Sequence, residues 1–396
     1  MDTYCARSWN YFLVDLDNMD HKMCCKTKWR PMDPGKDWFN GPAMVERRQY
    51  HLSGKQHSDC EHCWDLENQS QWSPRIGIAR PDPITDSLSS YDKGMLEILL
   101  GNTCDMACRY CDARYSSIWA ARKNDQVNSK AYRSNLRSND RSKLVLQQFY
   151  DWLEIEKHKL ADILFTGGEP LLMDNMYDIL DKFNFKNLNL QVNTNLNTPE
   201  HYLKKLEATL DRLLDNGNSV SFRVSVDGIG QQNDWQRQGS NWDRLRDNWY
   251  RIGSRPVYMK AAFTVTPLTL EGMPDIANFV LNSRAQLAHE PVFEIPNVLT
   301  WPRPLNVVEW FGSFKNEISQ FTALLDKQRD YGQKTKIKHQ CEEWLALPSD
   351  PPSYEQVQSF ANFCDQSQAQ WGGGDWRSIY PKTAAIAQRV LDQGTT

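Results

Sequence analysis

The stretch Leu96-Glu-Ile-Leu-Leu-Gly-Asn-Thr-Cys104-Asp-Met-Ala-Cys108-Arg-Tyr-Cys111 decides how this chain is read. Its first half, Leu96–Leu100, is an apolar run of strand length. Its second half carries three cysteines spaced four and three residues apart. A loop at the C-terminal end of a barrel strand is where barrel enzymes place their chemistry. On a tight loop, three thiolates can converge on one metal centre. Iron–sulfur clusters commonly take four cysteines, so three imply a centre with one open position, as catalytic zinc keeps one. A structural zinc knot completed by a remote His or Cys is the plainer alternative, although zinc sites more often show paired C-x2-C units.

Outward from that stretch, short apolar runs alternate with helical patterns. Strands are expected at Leu96–Leu100, Ile163–Thr166, Leu188–Asn193, Val220–Val226, Tyr258–Val265 and Val292–Ile295. Helices are expected at Ser142–Lys157, Asp174–Phe183, Pro199–Leu214, Trp242–Ile252 and Glu271–Leu281. Such alternation argues for parallel βαβ units, in an incomplete barrel or an open doubly wound sheet; periodicity does not choose between them. Beyond Pro304 the pattern turns helical, clearest at Trp310–Lys327 and Tyr354–Cys364. Pro81, Asp82, Pro83 and the polar stretch to Ser90 read as a linker. Gly167-Gly168-Glu169-Pro170 closes the second strand, on the same rim as the cysteine triplet. Two glycines let backbone approach a ligand closely, and a carboxylate there suits an α-amino group.

Composition narrows the function classes. Among 396 residues, 46 Lys+Arg nearly cancel 50 Asp+Glu for a formal charge of −4. That is no balance for gripping a polyanion. No apolar run approaches the about 20 residues a membrane helix needs, and the N-terminus lacks a signal pattern. A membrane or secreted location is therefore not expected, and a reducing cytoplasmic one is. Ten cysteines in such a compartment serve metals or catalysis more readily than disulfides. Fifteen tryptophans, among them Trp64, Trp72, Trp235, Trp242, Trp301 and Trp310, are read as core and cover.

A second cysteine group lies near the N-terminus. Cys60-Glu-His-Cys63 presents two thiolates from one turn, and Cys5 with Cys24 (or its neighbour Cys25) completes a four-cysteine site. Structural zinc is the alternative occupant, and His57 or His62 can replace a thiolate. Cys341 and Cys364 have no spaced partners and are read as structural.

The CxxxCxxC run after the first strand, Tyr110 before its last cysteine, and GGEP after the second strand together resemble the signature of the radical S-adenosylmethionine (radical SAM) superfamily, over about residues 95–300. The resemblance implies an α/β fold built on a partial (β/α)6 TIM-type barrel. It implies that Cys104, Cys108 and Cys111 bind a [4Fe–4S] cluster whose fourth iron chelates S-adenosylmethionine. Tyr110, Gly167, Gly168, Glu169, Pro170, Asn195, Ser225 and Arg237 match positions that contact this cofactor, and Val298 and Leu299 flank its adenine. The chemistry implied is reductive cleavage to a 5′-deoxyadenosyl radical that abstracts hydrogen from a substrate, with an electron donor such as flavodoxin or ferredoxin. No substrate-side acid or base is named.

The N-terminal group, with YFLVDLDNMDHKMCC as a hairpin and CEHCWDLENQSQWSPR as a CxxCWxxE…SxR run, resembles the auxiliary-cluster modules called twitch and SPASM. It implies a second [4Fe–4S] cluster on Cys5, Cys24, Cys60 and Cys63, although such modules usually follow the barrel. The expected organisation is an auxiliary module at 1–82, a radical SAM core at 91–305 and a helical extension at 306–396. A peptide or protein side chain is the expected substrate, with a nucleotide or small metabolite second. A non-enzymatic zinc-binding interaction protein is the remote alternative, and neither a membrane nor a nucleic-acid partner is expected.

Overall fold

The computed structural model describes residues 3–68, 73, 75–76, 94–122 and 140–394; the expected linker Pro81–Ser90 and Trp72 lie outside them. The described strands are β1 (Tyr11–Asp15), β2 (Asp20–Lys22), β3 (Arg30–Pro31), β4 (Gly94–Leu99), β5 (Ala107–Cys108), β6 (Leu160–Thr166), β7 (Asn189–Thr194), β8 (Ser219–Ser225), β9 (Arg237–Gln238), β10 (Tyr258–Ala262), β11 (Thr264–Val265), β12 (Val292–Phe293) and β13 (Asn297–Val298). The chain divides into two compact units. One comprises Met1–Asn102, Arg133–Val192 and Arg212–Ser219; the other comprises Thr103–Tyr132, Asn193–Asp211 and Val220–Thr396.

In the first unit the strands lie in the order β7-β6-β4-β1-β2-β3. β4, β6 and β7 are parallel neighbours in chain order, as helical crossovers require. The helix Asp140–Glu156 precedes β6 and buries Val145, Phe149 and Leu153 at four-residue spacing. The helix Asp174–Phe183 precedes β7, buries Met176, Tyr177, Ile179, Leu180 and Phe183, and ends on Asn184 in the left-handed conformation. The N-terminal segment is regular here: β1 pairs in parallel with β4 residue for residue, from Tyr11 opposite Met95 to Asp15 opposite Leu99. The expected hairpin forms as β1 turns antiparallel onto β2. Asp15 makes that turn, its Oδ1 accepting from the backbone N–H groups of Asp17 and Asn18 at 3.0 Å each.

In the second unit β8, β10 and β12 are parallel neighbours, again in chain order. Within each unit the parallel strands (β1, β4, β6 and β7; β8, β10 and β12) add in one direction, without the switch point among parallel strands that a doubly wound sheet has. The strand expected over Tyr258–Val265 is divided. After β10 the chain leaves β8, and β11 pairs with β13 instead, while Thr264 N–H donates 2.7 Å to Asp227 Oδ1. The C-terminal part is helical, through Lys315–Leu325, Lys334–Ala346, Tyr354–Trp371 and Pro381–Gly394. The chain is thus an α/β protein of parallel strands and crossover helices with a helical C-terminal extension.

A parallel sheet is normally buried on both faces. On β8 and β10 only one face is: Phe222, Val224, Met259 and Ala261 are at most 1% exposed. Arg223, Ser225, Lys260 and Ala262, alternating with them, keep partial access to solvent. That open face carries polar groups, and Ser225 stands at its C-terminal end.

Candidate functional site

The cysteine triplet follows β4 in sequence, on a loop that belongs to the second unit. Cys108 lies in β5, which pairs antiparallel with β9 so that Cys108 faces Arg237. Cys111 N–H donates to Cys108 C=O at 2.9 Å, Ser117 Oγ donates to Cys104 C=O at 3.2 Å, and Trp119 Nε1 donates to Cys108 C=O at 3.0 Å. Gly239, at φ +98°, allows Asp105 C=O to come within 2.8 Å of where a Cβ would stand. The three thiols are half-buried. Burial pushes the Cys108 and Cys111 pKa values up; at Cys108 the Arg237 guanidinium opposes the rise and Asp227 adds to it, and at Cys111 neighbouring negative charge adds to it. Thiols held neutral in this way release their protons when a metal arrives.

Beside Cys108 stands a buried charged network. Tyr110 Oη donates to Asp227 Oδ2, and Arg237 Nε lies 2.7 Å from that same oxygen. Arg237 Nη1 lies 3.8 Å from Cys108 Sγ. Asp227 is fully buried and Arg237 nearly so. Burial works against the Arg237 charge, but Asp227, Tyr110 and Cys108 more than offset it and hold the guanidinium firmly protonated. Asn195 Nδ2 donates 2.8 Å to Asp105 Oδ1, and burial raises the Asp105 carboxyl despite that bond.

In the first unit, Gly167 takes φ +131°, and an added Cβ would meet Gly101 C=O at 2.5 Å. Gly168 N–H donates to that same carbonyl at 2.8 Å. Glu169 is fully buried and caps the turn Pro170–Leu172, Oε1 accepting from Leu171 N–H at 3.1 Å. The glycine pair therefore closes the end of β6 against the residue that leads into the cysteine loop.

The N-terminal cysteines also gather in the first unit. Cys5, Cys24, Cys60 and Cys63 line one pocket together with His62, Arg7, Lys26, Arg47 and Arg75. Cys25 is not among the lining residues and is exposed. A hydrogen bond from Cys25, assisted by Arg7, lowers the Cys24 thiol to about 5, while Cys25 is raised. Of the tandem, Cys24 is the member that lines the pocket. Burial pushes Cys5 up to about 11 and Cys60 up to about 12. His57 instead caps the turn Ser58–Cys60, its ring accepting from Asp59 N–H.

The CxxCWxxE…SxR run holds one side of this pocket. Glu67 Oε1 accepts from Ser73 Oγ at 2.5 Å and from Arg75 Nε at 2.9 Å. Arg75 stacks over Trp64 and donates 3.0 Å to Tyr4 C=O. Among the described residues no three His, Cys, Asp or Glu side chains close on a single point. A cubane cluster does not require that, because each thiolate takes a separate iron.

Sequence reasoning did not single out Asp227 as the partner of Arg237 and Tyr110. It also missed Arg7 and Arg47 around the N-terminal thiols, and Arg109 beside Cys108. Arg7 and Arg109 lie within two residues of a cysteine, which was a signal; Arg47 carried none. Trp64, Trp235, Trp242 and Trp310 are buried, whereas Trp301 is 67% exposed. Cys341 and Cys364 are fully buried. Val298 lies in β13, followed by Leu299.

Parallel strands with a half-buried thiol triplet after β4 define an α/β enzyme domain equipped for thiolate ligation. Residues 98–280 match the family model of the Radical SAM superfamily. The matched stretch, just under half of the chain, supports an enzyme whose reaction is unspecified. Among solved structures, it is similar to Streptococcus suis SuiB bound to precursor peptide SuiA, with TM-score 0.38 and 11% identity over 81% of this chain and 69% of that one. For SuiB bound to S-adenosylmethionine the TM-score is 0.39, with 9% identity over 84% and 73%. No curated protein sequence matches the chain. No helix among the described residues is long and apolar enough to cross a membrane.

Proposed function

We propose that the chain is a radical SAM enzyme with an auxiliary iron–sulfur site, acting on a peptide or protein side chain in a reducing, cytoplasmic compartment. Its organisation would be an auxiliary module at 1–82, a core at 91–305 and an extension at 306–396. The observation that carries the reading is the half-buried thiol triplet on the loop after β4, within the matched domain. Cys104, Cys108 and Cys111 would hold a [4Fe–4S] cluster, and their donor set fits it: three soft ligands from one loop leave one iron open. When bound, cluster and S-adenosylmethionine supply reductive C5′–S cleavage and a 5′-deoxyadenosyl radical that abstracts hydrogen.

The chain's own residues position and shield that chemistry. Tyr110, Gly167, Gly168, Glu169, Pro170, Asn195, Ser225 and Arg237 are proposed to contact S-adenosylmethionine, on the strength of their match to the superfamily's positions. The partly accessible face of β8 and β10 offers polar groups to a substrate. Cys5, Cys24, Cys60 and Cys63 would bind the second cluster, supported by the single pocket they line and its arginine-rich wall. Four thiolates leave no open iron, which favours electron conduction or a structural role, with reduction supplied by a flavodoxin or ferredoxin. The peptide substrate rests on the twitch-like cysteine run; SuiB, bound to a precursor peptide, is the kind of protein in view.

Anaerobic reconstitution with iron and sulfide counting tests the proposal. About eight irons per chain are expected from two cubanes. Cys60→Ser with Cys63→Ser should leave about four. A colourless chain holding only zinc would sink the reading.

A further inference from the structure

The Arg237 guanidinium spans two partners that a cofactor ligand would not need. Its Nε lies 2.7 Å from Asp227 Oδ2 and its Nη1 3.8 Å from Cys108 Sγ. Asp227 is fully buried and committed on both oxygens, with Thr264 N–H donating to Oδ1, and Tyr110 Oη to Oδ2. β9 fixes the backbone of Arg237 directly opposite Cys108. Every position of the network is therefore set by the protein itself, with the cation against one sulfur of the triplet. Cations and N–H donors next to a ligating thiolate stabilise the more negative, reduced state of a cluster.

We propose that Arg237 is a positioning residue that tunes the cluster: it donates to the Cys108 sulfur and raises the reduction potential, while Asp227, braced by Tyr110, aims it and moderates its charge. This deepens the radical SAM reading and rests on it. It differs from a role confined to the S-adenosylmethionine carboxylate, because a pure cofactor contact leaves the potential unchanged when no cofactor is present.

The test is a redox titration of the reconstituted full chain without S-adenosylmethionine, followed by electron paramagnetic resonance. The relevant cluster is the one whose signal changes when S-adenosylmethionine is later added. Arg237→Gln should lower the reduced-to-oxidised ratio at fixed potential about tenfold, equivalent to about 59 mV for one electron. Arg237→Lys keeps the charge but cannot span both partners, so it should fall between. Asp227→Asn removes the offsetting charge and should move the ratio the other way. An unchanged potential in Arg237→Gln overturns the proposal. Should that variant not retain the cluster, Asp227→Asn decides, with an upward shift supporting the proposal and no shift overturning it. Failure of the underlying reading looks different: the wild-type chain would then bind no cluster.

Discussion

Gly167 has no room for a side chain. Its φ of +131° is closed to L-residues, and the obstructing atom is backbone, Gly101 C=O at 2.5 Å. Gly167→Ala should therefore cost about 1–3 kcal/mol in urea unfolding of the metal-free chain; an unchanged midpoint would show that the turn yields. Arg75 acts similarly for the auxiliary pocket, tying Glu67, Trp64 and Tyr4 C=O behind Cys63. Partners that orient metal ligands are commonly worth about 10–100-fold in affinity. Arg75→Met should thus release the auxiliary iron to a chelator at least tenfold faster while sparing the iron on Cys104, Cys108 and Cys111. Equal loss from both sites would mean a general folding defect.

At the scale of elements, the N-terminal hairpin carries a pH dependence. His21 on β2 is buried, and burial, helped by Arg30 and Arg47 and opposed by Asp33, lowers its pKa to about 4. Its ordinary value is about 6.5, so the unfolded chain accepts a proton that the folded hairpin refuses. This contribution is fully present above pH 6.5 and is lost as the pH falls toward 4. Urea midpoints of the metal-free chain should decline over that window, and His21→Gln should flatten the decline; an equal slope would assign it to other groups.

A second element, the segment after helix Tyr354–Trp371, is tied to the cysteine loop by Arg109. That buried guanidinium donates to Trp235 C=O at 2.6 Å and to Gly372 C=O at 3.0 Å, and stacks on the Trp235 ring at 3.8 Å. Gly372, Gly373 and Gly374 all have positive φ, so this run depends on such anchors for its shape. Arg109→Met should expose it to limited proteolysis around Gly372–Asp375, at a rate about tenfold above wild type, the factor that losing about 1.4 kcal/mol gives.

Over the whole molecule, the alternation of strand and helix was legible because parallel strands and their crossover helices carry uninterrupted apolar patterns. Three of the longer helices among the described residues were not. Pro42–Leu52 buries Met44, Arg47, Arg48 and His51, so its inward stripe is mostly polar. Pro381–Gly394 buries Thr383, Ala387 and Val390, and Lys334–Ala346 buries Ile337, Cys341 and Trp344. These stripes are too thin or too small to stand out. β1 read only as half a hairpin, since no local pattern announces that five residues will pair with a strand some eighty positions later.

The thiols were visible by spacing, and Cys5, Cys24, Cys60 and Cys63 line one pocket. The side chains around them were not, because a buried arginine looks like a surface one until the fold encloses it. Arg237 shows the difference: sequence order offered a cofactor contact, and the structure adds Asp227 and the Cys108 sulfur.

The central claim is that Cys104, Cys108 and Cys111 hold the catalytic cluster. It is tested most directly by 5′-deoxyadenosine released from S-adenosylmethionine when the reconstituted chain is reduced. Wild-type protein should form it, and the variant with all three cysteines changed to alanine should form none. Release by that variant, or none from a wild-type chain carrying its full complement of iron, would contradict the account.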